Sequence, residues 1–260
     1  MKDSWRKFNR AWEIFRKLEQ EITTFLATEP VCIRVVETTP GEVAVKLDKN
    51  FAVPEHLPLV IGELIHNARS SLDAATFEVV QKRNMREMSF SELVKIQFQI
   101  ETSWERFSQK TEWHANYLSQ EELIALSKQQ PFEYAKWIDQ ELKTEAMMRA
   151  PLARLKEISN LDKHRNIKLL NLEPSMFMIL TDPNTSLGAS KFTRPPWLSG
   201  ETIFSFQYSN STMQTPPVNP EFTVCFPEDA IPMNVRPVTQ VLIEILNAVE
   251  LTLIEFDLIT

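Results

Sequence analysis

One helix, predicted from Leu59 to Val80, constrains the fold of this chain more than any other segment. Its apolar residues recur at the helical period on one face, and they are Ile61, Ile65, Ala68, Leu72, Ala75 and Val79. The opposite face carries short polar side chains where a solvated face usually carries Lys and Glu, and they are Glu63, His66, Asn67, Ser70 and Asp73. The pattern therefore predicts an amphipathic helix whose polar face lines a site or a buried polar network.

A second unusual helix is predicted at 151–170. One of its faces is apolar at both ends and polar in the middle, in the order Leu152, Leu155, Ser159, Asp162, Asn166 and Leu169. Because a face that packs at both ends cannot leave its centre in bulk water, the three polar residues should be semi-buried. An unsatisfied buried polar group costs about 1–3 kcal/mol, so these residues need partners.

The polar faces of these two helices are predicted to meet. We expect charge pairs of Arg69 with Asp162 and of Asp73 with Arg165 or Lys163. The candidate catalytic residues are His66, Arg69, Asp73, Asp162, His164 and Arg165. The candidate binding residues are Asn67, Ser70, Ser159, Lys163 and Asn166.

The remaining pattern predicts an α+β protein. Long helices are expected at 4–27, 59–82, 151–170 and 237–257, with inserted short helices at 88–147. The segments 31–48 and 171–230 are rich in β-formers and predict a mostly antiparallel sheet of about six short strands. We expect one elaborated domain over 1–260. The aromatic residues of the insertion, Trp104, Trp113, Tyr117 and Trp137, are expected to pack onto the bundle.

The composition excludes several classes of protein. A net charge of -7 in 260 residues argues against a broad nucleic-acid or anionic membrane surface. No secretory signal or membrane span is expected, and two cysteines without metal spacing favour a reduced, cytoplasmic setting. Four glycines form no phosphate-binding loop or dinucleotide fingerprint, and zinc-protease and α/β-hydrolase motifs are absent from the sequence. No cofactor is predicted.

Two motifs carry a resemblance to a family. Gly62-Glu63-x-x-His66-Asn67-x-Arg69-Ser70-x-Leu72-Asp73 is followed by Gln130-Pro131-Phe132 and by Leu155-x-x-Ile158-Ser159-Asn160-Leu161-Asp162-Lys163-His164-Arg165. The set resembles a bacterial family without an assigned activity, whose members pair an HNLRSALDH helix with a later LSNxDKHR helix. The resemblance covers 54–170 and implies that both helices belong to one site. This chain has Ala68 where Leu is usual and Ala74 where a second His would follow, so a role of that His would be lost here.

Several functions remain open at this level. The constellation can be a buried ion network that sets helix register, or a small ligand pocket. It can also hydrolyse RNA phosphodiesters without metal, with His66 or His164 as acid or base and the arginines Arg69 and Arg165 on phosphate. The architectural analogy is to HEPN-type ribonucleases, but their Arg and His spaced by four to six residues are missing, since nine residues separate Arg154 from His164.

Two further alternatives concern other ligands. Glu63 and His66 lie one helical turn apart, as in di-iron bundles, but the second Glu-x-x-His of those bundles is absent from the sequence. A mononuclear metal site formed by these two residues with Asp73 and Asp162 is the remaining candidate. The chain can also be an interaction module, in which the sheet or the insertion helices bind a protein partner or a second copy. Its expected exposed contact is the loop Arg194-Pro195-Pro196-Trp197.

Overall fold

A computed structural model describes residues 2–50, 52–83, 88–112, 116–165, 171–179, 186–193, 199–209, 218–226 and 237–259. These residues form nine helices and six strands, so the predicted α+β class is confirmed. The chain divides into two compact units. The helical unit comprises Met1–Glu19, Glu55–Leu170 and Phe226–Thr260, and the β-rich unit comprises Gln20–Pro54 and Asn171–Cys225. A single domain over 1–260 therefore stays a prediction.

The helices have the following bounds: α1 Asp3–Leu26, α2 Leu57–Arg83, α3 Phe90–Leu93, α4 Trp104–Thr111, α5 Gln120–Ser127, α6 Pro131–Tyr134, α7 Gln140–Arg149, α8 Pro151–Arg165 and α9 Val238–Ile259. Three of them, α1, α2 and α9, exceed 20 residues. Helix α8 has 15 described residues, and 166–170 lie outside the described part of the chain. The bundle of four long helices therefore stays a prediction.

The core of the helical unit is formed where α2, α8 and α9 pack against one another. The apolar face predicted for α2 is buried, because Ile61, Ile65, Ala68 and Leu72 are each at most 1% exposed. Helix α1 is attached to α2 by polar contacts. The backbone N–H of Ser4 donates to Glu78 Oε1 at 3.0 Å and its hydroxyl donates to Oε2 at 2.7 Å, so that Glu78 caps the start of α1.

The β-rich unit contains β1 Val31–Thr39, β2 Glu42–Asn50, β3 Asn171–Ile179, β4 Ser186–Phe192, β5 Thr202–Ser209 and β6 Val218–Cys225. Four strands form an antiparallel sheet in the order β1-β2-β5-β4, while β3 and β6 form a separate antiparallel ribbon. In the described part of the chain the strands thus pair as two sheets, and the expectation of one sheet of about six strands is not confirmed. Local periodicity identifies strands, but contacts between distant segments decide which strands pair.

A buried cluster joins the ribbon to the face of the sheet. Its centre is formed by residues of β2 and β5, namely Val43, Val45, Leu47, Ile203, Phe204, Phe206 and Tyr208. Ile179 and Val218 at the end of the ribbon, with Phe222, pack against this cluster. At the predicted Pro-Gly hairpin turn Gly41 has a φ of +82°, and an added Cβ would lie 2.9 Å from the Tyr208 carbonyl oxygen. Glycine is therefore required at this turn.

Candidate functional site

Arg69 and Asp73, two of the predicted site residues, bind the main chain of Phe98. Arg69 Nη2 donates to the carbonyl oxygen of Phe98 and lies 3.4 Å from Asp73 Oδ1. The same Asp73 oxygen accepts from the Phe98 N–H at 2.9 Å. Burial lowers the pKa of Arg69 below its ordinary value. The negative charges of Asp73 and Glu101 act in the opposite direction but do not outweigh the effect of burial. The pair therefore satisfies both main-chain groups of one buried residue and attaches the insertion to α2.

The other polar residues of the α2 face make local contacts. His66 is exposed, and its Nε2 lies 3.5 Å from the Ser70 hydroxyl oxygen one turn away. The Asn67 side-chain amide donates to the Glu63 carbonyl oxygen at 2.8 Å, and the Glu63 carboxylate pairs with Arg10 at 3.0 Å. Within the described residues, no three His, Cys, Asp or Glu side chains lie together as metal ligands.

Gln130, which belongs to the quoted Gln-Pro-Phe motif, binds the main chain of the segment on either side of Ile100. It is fully buried, and its Oε1 accepts from the Glu101 N–H at 2.8 Å. Its Nε2 donates to the Gln99 carbonyl oxygen at 2.7 Å and lies 3.3 Å from that of Leu126. No role was predicted for this residue from the sequence. Its position before Pro131, at the start of a helix, is the sequence feature that could have indicated a structural role.

Glu101 is a buried carboxylate that the sequence analysis missed. Lys110 Nζ donates to its Oε1 at 2.6 Å, and Lys156 Nζ lies 3.3 Å from the same oxygen while it donates to the Ile100 carbonyl oxygen at 2.8 Å. Burial raises the pKa of Glu101, but the hydrogen bonds and charges of the two lysines outweigh this effect and bring the pKa below its ordinary value of 4.5. Nothing in the helical periodicity marks a buried charge in a segment without helix or strand.

The structure tests the predicted pairs with α8 only in part. Helices α2 and α8 pack together, and Ser159 is buried with 7% of its surface exposed. The side chains of Asp162, Lys163, His164 and Arg165 lie outside the described residues, as does Asn166. The expected pairs of Arg69 with Asp162 and of Asp73 with Arg165 or Lys163 therefore stay predictions.

An open groove of about 960 Å³ lies elsewhere on the helical unit, between the α6–α7 region and α9. We call it the α7–α9 groove. Its apolar lining includes five large exposed side chains, Tyr134, Trp137, Ile138, Leu142 and Leu251. Trp137 is 90% exposed, so the expectation that it packs onto the bundle is wrong. An exposed tryptophan beside other apolar side chains is typical of a binding surface.

The charged groups that line this groove have partners within the chain. Arg154, only 3% exposed, donates to Glu244 at 2.7 Å, and Arg149 pairs with Glu145. Lys128 at the edge pairs with a glutamate of α9 at 2.7 Å. The groove therefore combines an apolar lining with charges that are already neutralised.

The exposed face of α9 continues from the groove. It carries Ile243, Asn247, Leu251, Ile254 and Leu258, which we call the α9 outer stripe. Its four apolar members are between 37% and 76% exposed. The sequence of this helix is apolar nearly all round, a pattern that is typical of a helix buried inside a bundle. The structure corrects this, because one face of α9 is covered by the helical unit and the other is exposed.

The other aromatic residues of the insertion differ in their environments. Trp104 is 46% exposed and contacts Phe107 and Phe132 through its ring, while the Tyr117 hydroxyl donates to Glu92 at 3.0 Å. Trp113 lies outside the described residues. The loop Arg194-Pro195-Pro196-Trp197, predicted as an exposed contact, lies outside them as well.

Comparison with known proteins yields no match to a protein-family model, to a curated protein or to a solved structure. The resemblance to the family with the HNLRSALDH and LSNxDKHR helices therefore stays a prediction. Among the described helices, none is long and apolar enough to cross a membrane.

Proposed function

We propose that this protein is a binding module that holds an apolar protein helix in the α7–α9 groove. The observation that carries the proposal is the exposed Trp137, which lies in a groove beside the exposed side chains of Tyr134, Ile138, Leu142 and Leu251. The charged groups of the groove, such as Arg154 and Glu244, are paired within the chain. Tryptophan dominates the binding energy of many interfaces because it buries a large apolar area with little loss of side-chain entropy.

The lining favours a helix over a small charged ligand. A charged ligand would have to break internal pairs such as that of Arg154 with Glu244, which costs more than it returns at a buried site. A helix with apolar side chains at i, i+3, i+4 and i+7 can instead fill a groove between two helices and leave those pairs intact. The bound segment should therefore carry Leu or Ile on the face that meets Trp137.

The polar constellation serves this function as a scaffold. Arg69 and Asp73 attach the extended segment at Phe98 to α2, and Gln130 attaches the same segment to the turn before α6. These contacts hold the helices that form one side of the groove. RNA hydrolysis remains an alternative prediction, but the guanidinium of Arg69 is already bonded to a main-chain carbonyl, which weakens its predicted role as a phosphate ligand.

A designed amphipathic helix tests the proposal. The probe is a fluorescein-labelled peptide of about 18 residues with Leu on one face and balanced Gln, Lys and Glu on the other, and its anisotropy is measured against protein concentration. We expect Trp137→Ala and Leu251→Asp to weaken binding by about tenfold or more. Leu59→Asp is the matched control, because Leu59 is 69% exposed on α2, away from the groove lining.

The outcome depends on where binding is lost. A scrambled peptide of the same composition should bind at least tenfold more weakly, because its apolar residues no longer share a face. If wild type and both groove variants bind the probe equally, or if a monomeric wild type fails to bind it at all, the groove is not a helix-binding site.

A further inference from the structure

We infer that the helix held at this site is α9 of a second copy of the chain, so that the protein forms a symmetric dimer through its α9 outer stripe. This inference rests on the proposed function. Asn247 and Leu251 belong both to the groove lining and to the stripe, so one helix can fill the groove and cover the stripe together.

The spacing of the stripe is suited to a two-fold axis. From Ile243 to Leu258 the steps are four, four, three and four residues, and reading them from the other end gives nearly the same series. Two antiparallel copies can therefore place their Leu251 side chains together at the axis, with apolar residues on both sides. A symmetric dimer needs such a self-complementary surface, because the same patch is used by both copies.

The exposed apolar area is sufficient for a stable dimer. Groove and stripe expose eight large apolar side chains: Tyr134, Trp137, Ile138, Leu142, Ile243, Leu251, Ile254 and Leu258. A fully exposed large side chain has an accessible area of about 200 Å². Multiplied by the exposed fractions of the eight side chains, this value gives a total exposed area on the order of 900 Å². Stable interfaces bury about 800 Å² on each partner.

The charges of α9 do not prevent self-association. The helix contains four acidic residues and no basic one. Three of the four are paired within the chain: Glu244 with Arg154, Glu255 with Lys128 and Asp257 with Lys2. Repulsion between two copies is therefore reduced. Asn247, the polar member of the stripe, would favour one register of the pair, as a single buried Asn does in coiled coils.

Sedimentation equilibrium of the full chain at about 1 to 100 µM tests the inference. We expect the wild type and Leu59→Asp to dimerise, and Leu251→Asp and Trp137→Ala to lose at least tenfold in dimer affinity. An excess of the designed helix should dissociate the wild-type dimer, because both occupy the same site. A wild type that stays monomeric overturns the inference, as does a dimer that neither groove substitution weakens.

A crosslink tests the position of the axis independently. Leu251→Cys in a Cys32→Ser background should form a disulfide between two copies under mild oxidation, because the two Cα atoms lie close together at the axis. Leu59→Cys in the same background should not.

The two proposals can fail separately. If the protein stays monomeric and still binds the designed helix through Trp137, the groove binds a helix of another protein and only the dimer is wrong. If it neither associates nor binds the designed helix, the proposed function itself is refuted.

Discussion

The contact of Arg69 with Phe98 allows a quantitative test of the structural role of the polar constellation. The perturbation is Arg69→Met, which keeps an apolar chain of similar length but removes the donor to the Phe98 carbonyl oxygen and the partner of Asp73. Phe98 is 1% exposed, so its carbonyl group has little access to water as a replacement donor.

The magnitude follows from the contacts. Loss of a charged hydrogen bond to a buried carbonyl costs about 1.5–3 kcal/mol. The Arg69 and Asp73 side chains are 19% and 33% exposed, so their 3.4 Å ion pair adds at most about 1 kcal/mol. We therefore expect the free energy of unfolding to fall by about 2–3 kcal/mol, which lowers the melting temperature of a chain of this size by roughly 5–10 °C.

Urea denaturation followed by circular dichroism measures the effect, with Asp73→Ala and the double variant completing a cycle. Because both side chains bind one residue, the double variant should lose about 1 kcal/mol less than the sum of the single variants. His66→Ala is the control on the same helix, and its exposed side chain should change stability by no more than about 0.5 kcal/mol. A loss below about 1 kcal/mol for Arg69→Met, or equal losses for Arg69→Met and His66→Ala, would refute the structural role.

Three further predictions concern buried or half-buried polar groups of the helical unit. Gln130→Met should lower the free energy of unfolding, measured by urea denaturation, by about 2–4 kcal/mol, because it leaves the Glu101 N–H and a neighbouring carbonyl group without partners. Gln97 is exposed, so Gln97→Met should lower the same free energy by less than about 0.5 kcal/mol. Equal losses for the two variants would contradict the prediction. Because the pKa of Glu101 is lowered, the wild type should be more stable than Glu101→Gln by a constant amount above pH 4.5. This difference in the free energy of unfolding should shrink as the pH falls through the lowered pKa. A difference that does not change with pH would contradict the prediction. Glu78→Ala should cost about 1–2 kcal/mol and speed amide exchange at Ser4, whereas unchanged exchange would show that Glu78 does not cap α1.

The α2 helix shows which features of the structure helical periodicity can predict. Its apolar face was predictable because burial follows the 3.6-residue period, and Ile61, Ile65, Ala68 and Leu72 are all buried. The contacts of its polar face with Phe98 were not predictable, whereas the pairs expected with α8 stay predictions. Arg69 and Asp73 were expected to bind α8, but their described contacts are with each other and with Phe98, which has no regular secondary structure.

The sequence by itself determined the α+β class and the core face of α2, because these depend on residue patterns over one or two turns of helix or a few strand residues. The tertiary structure alone decided the division of the strands into a sheet and a ribbon, the burial of Glu101 and Gln130, and the exposure of Trp137 beside the outer face of α9. Each of these depends on contacts between residues far apart in the chain. A pattern of apolar residues shows that a side chain can be buried, but only the packed neighbours decide whether it is covered.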